Sequence, residues 1–76
     1  MHALEQLRVE LTDLTQDKFA HHCGFSRSTY YRLIAKDAKT LRLSPQQVGQ
    51  ICHICQISVY AFFERLEINL VGVEID

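Results

Sequence analysis

The sequence predicts an all-α domain of five helices, built on a helix-turn-helix and followed by a C-terminal β-strand. Three stretches carry that expectation. Residues 15–35, TQDKFAHHCGFSRSTYYRLIA, set two short helical segments around a glycine. Residues 44–63 open with Ser44-Pro45 and repeat apolar side chains at helical spacing. Residues 67–75 are instead rich in β-branched side chains. With 76 residues and 47% apolar composition, the chain suffices for one small core without obligatory disulfides or metals.

Helix 1 is expected over residues 3–12, where Leu4, Leu7, Leu11 and Leu14 recur at helical spacing and Glu5, Arg8 and Glu10 fall on other faces. The segment LRVEL also alternates like a strand, which is the second reading of this stretch. Thr15 is a good N-cap for helix 2, which places Phe19, Ala20 and Cys23 on one face. Gly24 stops it, because only glycine turns left-handed without a Cβ penalty. Phe25 then points into the core, and Ser26 caps a third helix running from Arg27 to about Ala35. Its apolar face carries Tyr30, Leu33 and Ile34, while Arg27, Ser28, Tyr31 and Arg32 point elsewhere. Ala20 supplies the small side chain that steeply crossing helices need at their contact.

Residues 35–43, AKDAKTLRL, read as a basic loop. Ser44 caps helix 4 with Pro45 in its first turn, and Val48, Ile51, Cys52 and Cys55 line one side. Ser58 caps a short fifth helix, with Val59, Phe62, Phe63 and Leu66 as its apolar area. In residues 67–75, Ile68 and Leu70 alternate before the phase shifts to Val71, Val73 and Ile75; with Gly72 at the shift, a β-bulge is expected. The chain thus divides into a domain over residues 1–66 and a strand tail over residues 67–76. A lone strand leaves its N–H and C=O groups without ladder partners, so the tail is expected to pair antiparallel with a second copy, making a homodimer.

Net charge is −1, but it is unevenly spread. Residues 15–43 hold Lys18, Arg27, Arg32, Lys36, Lys39 and Arg42 against Asp17 and Asp37, a local balance of +4; residues 1–14 carry −2 and residues 44–76 carry −3. A local basic face is what phosphate binding requires.

Thr15-Gln16, the small Ala20, the turn at Gly24 and the cap at Ser26 stand at fixed spacing, with Phe19, Cys23, Phe25, Tyr30 and Leu33 at apolar places. In these positions the chain resembles the Xre/Cro/lambda-repressor family of helix-turn-helix proteins, from about Leu4 to Phe63. It departs from the family pattern at Tyr30 and Tyr31, which are bulky, and at Cys55-Gln56, where a glycine often closes the fourth helix. The resemblance implies a lambda-repressor-like fold and a dimeric transcriptional regulator that binds an inverted-repeat operator in double-stranded DNA. It also implies that Gln16 bonds a phosphate, helped by N–H groups at the start of its helix.

In a helix-turn-helix the second helix enters the major groove with its N-terminal residues on base edges. Arg27, Ser28 and Arg32 lie on the exposed side of its first two turns. An arginine can make a bidentate contact with guanine O6 and N7, whereas a serine hydroxyl discriminates little. Tyr31 suits a thymine methyl or a phosphate, with packing against helix 1 or the loop as the alternative. Lys36, Lys39 and Arg42 are candidates for backbone phosphates, set against a role as solvated loop charges.

His21, His22, Cys23, Cys52, His53 and Cys55 look suggestive together, yet Cys52-x-x-Cys55 is the one pair at zinc spacing and sits on an apolar helical face. Buried structural thiols are the expectation, with no metal or cofactor; a zinc site and a redox sensor are the alternatives. The sequence carries no Gly-rich phosphate loop, nucleophile elbow or HExxH, so an enzyme is not expected. The absence of a 7–15-residue apolar leader run or a span of about 20 apolar residues, with three cysteines, points to a cytoplasmic protein. The competing functional reading is a protein-interaction module on the same fold, an antitoxin or adaptor with weak or no DNA binding.

Overall fold

The computed structural model describes residues 1–35 and 39–76. It is mainly helical: α1 is Ala3–Leu11, α2 Gln16–His22, α3 Arg27–Leu33, α4 Pro45–Cys55 and α5 Val59–Ile68. Two short strands, β1 at Thr40–Leu43 and β2 at Gly72–Ile75, complete it.

Local sequence chemistry sets the helix starts. The side chains of Thr15, Ser26, Ser44 and Ser58 accept hydrogen bonds from Lys18, Thr29, Gln47 and Ala61 N–H respectively. At α4 Gln47 reaches back to the Ser44 N–H, closing a reciprocal cap above Pro45. His2 caps α1 one way, its Nδ1 accepting from Leu4 N–H.

Three of the helix ends, those of α2, α4 and α5, share one geometry. Phe25 N–H bonds Ala20 C=O while Gly24 N–H bonds His21 C=O, and Gly24 sits at φ +83°. The same paired bonds end α4 through Gln56 at φ +56° and α5 through Leu70 at φ +59°. The expected glycine turn is therefore present at α2. The other two turns use side-chain-bearing residues in a conformation that disfavours them.

Around these elements one core forms from Leu4 and Leu7 of α1, Phe19 and Ala20 of α2, Tyr30 of α3, Leu41 and Leu43 of β1, Val48, Ile51, Cys52 and Cys55 of α4, and Phe62 and Leu66 of α5. Cys23 and Phe25, either side of Gly24, are buried with them. Leu33 and Ile34 pack against this core half-buried.

Several expectations are corrected. LRVEL is helix, as the first reading of this stretch had it, but Leu11 is exposed, so the apolar stripe of α1 ends at Leu7. Val59 is likewise exposed, leaving Phe62 and Leu66 as the buried residues of α5. The basic loop after α3 contains β1, whose Leu41 and Leu43 face inward and whose Thr40 and Arg42 face outward. The C-terminal strand is shorter than residues 67–75, because α5 continues to Ile68 and the phase shift after Leu70 is a helix-ending turn, with no bulge.

Nor is that strand alone. β2 runs parallel to β1, pairing Thr40 with Gly72, Leu41 with Val73, Arg42 with Glu74 and Leu43 with Ile75. A parallel pair needs a long crossover, which α4 and α5 provide. Gly72–Ile75 are thus built into the same sheet as β1.

Candidate nucleic-acid interface

The helix-turn-helix is fixed to the rest of the domain by a buried carboxylate. Glu5 on α1 is only 7% exposed, although its place in the helical pattern suggests a solvent face. Its Oε1 accepts from Arg8 Nη2 at 2.9 Å and Gln16 Nε2 at 2.7 Å. Its Oε2 accepts from Arg8 Nε at 3.0 Å and from the Tyr30 hydroxyl. Arg8 also donates from Nη1 to Leu14 C=O at 2.8 Å, holding the connection between α1 and α2. One carboxylate thereby ties α1, the start of α2 and the middle of α3 together.

Burial alone would raise the pKa of Glu5, but the bonds from Arg8, Tyr30 and Gln16 outweigh it and hold the group down at about 2. The same burial, with the Glu5 bond, pushes the Tyr30 hydroxyl well above its usual range. The Tyr30 ring packs on Phe19, centroids 5.8 Å apart, while its hydroxyl reaches Glu5.

With Tyr30 locked inward, α3 turns Arg27, Ser28, Tyr31 and Arg32 outward, all exposed. Arg27 does not stand free. Its Nε and Nη2 donate to the two oxygens of Asp17 at 3.0 and 2.7 Å. The Asp17 bond leads in keeping its guanidinium protonated. The Tyr31 hydroxyl lies 3.4 Å from the same carboxylate, and its ring centroid is 6.0 Å from the Arg27 guanidinium carbon. Arg32 donates from Nη2 to Thr29 Oγ1 at 3.3 Å. Arg32 and Arg42 both border the depression between α3 and β1.

The remaining expected contacts fare differently. Gln16 is half-buried and commits one amide hydrogen to Glu5. Lys39 is exposed, its carbonyl accepting from Gly72 N–H. Arg42 on β1 is exposed but offset by Glu74 at 3.1 Å and Asp76 at 3.8 Å. Lys36 lies outside the described residues. Sequence reasoning missed Glu5 and Asp17. The signal for Glu5 was the tyrosine itself, since a buried phenol needs a hydrogen-bond partner. For Asp17 no local signal existed, because its partner lies ten residues on, across the turn.

Cys23, Cys52 and Cys55 are free and buried. Burial pushes the Cys23 thiol up to about 12 and the Cys55 thiol to about 11, and raises Cys52 as well. Such thiols are poor nucleophiles at neutral pH. His21, His22 and His53 are exposed. Among the described residues, no group of three or more His, Cys, Asp or Glu side chains is placed to hold a metal ion. No helix among them is long and apolar enough to cross a membrane. Comparison with protein-family models, with curated proteins and with solved structures finds no match to this chain.

Proposed function

We propose that this chain is a lambda-repressor-like, sequence-specific binder of double-stranded DNA that acts as a small dimeric transcriptional regulator. The observation that carries the reading is the two-sidedness of α3. Tyr30 is buried and bonded to Glu5, while Arg27, Ser28, Tyr31 and Arg32 occupy the exposed side. A helix held from behind and presenting two arginines to solvent suits the major groove. Arg27 and Arg32 read base edges, Ser28 fills in beside them, and Tyr31 supports Arg27. Lys39 contributes phosphate attraction, with Arg42 available once its bonds to Glu74 and Asp76 are exchanged for phosphate.

Dimerisation uses β2 in this proposal, though on different grounds from those of an unpaired tail. Gly72 and Asp76 point their N–H groups at β1, bonding Lys39 and Leu43 C=O. By strand alternation Val73 and Ile75 turn theirs away, which leaves one edge of β2 unpaired among the described residues. Beside it Phe63, Leu70, Val71 and Val73 line an apolar groove, with Ile75 half-exposed. A second copy added antiparallel at that edge covers the groove and sets two α3 helices on half-sites about 34 Å apart.

Selection from a randomised duplex pool tests the proposal. Enrichment of an inverted repeat supports it; recovery of unenriched sequences contradicts it. The competing reading as an antitoxin or adaptor draws on the pairing of Arg27 with Asp17 and of Arg42 with Glu74, and on the exposure of Ile68 and Leu70. Under that reading duplex binding is weak at every salt concentration.

A further inference from the structure

We infer that Asp17 is a positioning residue that presents Arg27 to a guanine, so that each half-site contains a G·C pair read by the Asp17–Arg27 couple. The inference rests on the DNA-binding reading and deepens it.

The couple joins two helices. Asp17 lies in the first turn of α2, and Arg27 is the first residue of α3. An exposed ion pair of this kind, with side chains 69% and 50% accessible, adds little to folding stability because water screens it. Its geometry nevertheless has a consequence for recognition. A guanidinium carries five N–H donors in one plane. Asp17 occupies the edge formed by Nε and Nη2. The edge formed by Nη1 and the second Nη2 hydrogen remains, and its two parallel donors match the O6 and N7 acceptors of guanine. The face of the guanidinium lies near the Tyr31 ring at 6.0 Å. A long, flexible side chain is thereby held on one edge and from one face, while its other edge makes no hydrogen bond to the described residues.

Asp17 also carries a cost: a carboxylate beside DNA is repelled by every phosphate, whatever the sequence. Orienting Arg27 and opposing phosphate make separate, opposite contributions to binding. Removing the carboxylate therefore strengthens binding to unrelated duplex while weakening the preference for guanine.

The test uses the full chain, the duplex it selects from a randomised pool, single-base variants of that duplex, and an unrelated duplex. Asp17→Ala is expected to raise affinity for the unrelated duplex and to cut the preference for one G·C pair by about 10-fold, the scale of a good bidentate contact. Arg27→Ala is expected to lose preference at that same pair, and the double substitution to lose no more than Arg27→Ala alone. Asp17→Glu is expected to restore part of the preference. Unchanged thermal melting of Asp17→Ala separates these effects from misfolding. Equal tightening on all duplexes, with the guanine preference intact, would show that Asp17 only opposes phosphate and would overturn the inference. Loss of preference at different pairs in Asp17→Ala and Arg27→Ala would overturn it too. If the wild-type chain selects no sequence, the DNA-binding reading fails first and takes this inference with it.

Discussion

Around α2 and α3, polar side chains do the positioning: a buried carboxylate grips three helices, and an exposed one grips Arg27. Around α5 and β2, apolar side chains remain at the surface, with Leu70 82% and Ile68 71% exposed. The first region buries charge to hold a charged face still. The second leaves hydrophobic area and a strand edge in solvent, the combination that association with another chain relieves. Under the proposed function the first region meets DNA and the second meets another chain, and each is open to separate attack.

The largest effect is expected from breaking the apolar region alone. Ile75→Lys places a charge at the open edge of β2, at a side chain already 49% exposed. Sedimentation is expected to show a monomer that melts close to wild type, with operator affinity reduced at least 100-fold, since avidity over two half-sites is lost. A dimer that persists in this variant shifts the association surface away from β2.

Next comes the carboxylate at the centre of the polar region. Glu5→Gln leaves the Arg8 guanidinium beside a neutral amide and is expected to cost about 3 kcal/mol, read as the change in denaturant midpoint. The pH dependence has a definite direction. The folded-state pKa of Glu5 is depressed from 4.5 to about 2, so its contribution is fully present above 4.5 and is lost as pH falls toward 2. The Glu5→Gln variant is expected to lack this part of the acid transition. An identical acid profile in both proteins would mean that Glu5 is not held ionised by Arg8, Gln16 and Tyr30.

Within the charged face the contrast can be sharpened residue by residue. Arg32→Ala is expected to cost about 1–3 kcal/mol on the best site and to relax preference at one base pair. Lys39→Ala is expected to weaken all duplexes alike, reducing the salt slope by about 0.9. If Arg32→Ala changes neither affinity nor preference, α3 does not read the groove through it.

The smallest effects lie in the helix-ending turns. Gln56 and Leu70 hold φ near +56° and +59° without being glycine. Gln56→Gly and Leu70→Gly are each expected to raise stability by about 0.5–1 kcal/mol, with glycine's extra freedom in the unfolded chain offsetting part of the relief. Chemical denaturation measures the gain; a loss would show that these side chains contribute more by packing than their backbones cost.

The same contrast explains which parts of the structure were legible in the sequence. Thr15, Gly24, Ser26 and Ser44-Pro45 act on neighbours within a few residues, so the helix starts and the turn of the motif could be read directly. β1 could not, because TLRL alternates over only four residues and its partner begins 32 positions later, at Gly72. Periodicity assigned Glu5 to solvent, since it registers polarity but not the three donor side chains that α1, α2 and α3 converge on it. The outward arginines were legible from helical phase, whereas the hold of Asp17 on Arg27 depends on how α2 and α3 cross.

Duplex affinity as a function of salt tests the DNA-binding reading most directly. For the wild-type chain and its selected duplex, log K is expected to fall linearly with log salt, at a slope of about −0.9 per phosphate contacted, and an unrelated duplex should bind far more weakly throughout. Weak binding of both duplexes, indifferent to salt, would contradict that reading and leave the apolar α5–β2 region as the surface that matters.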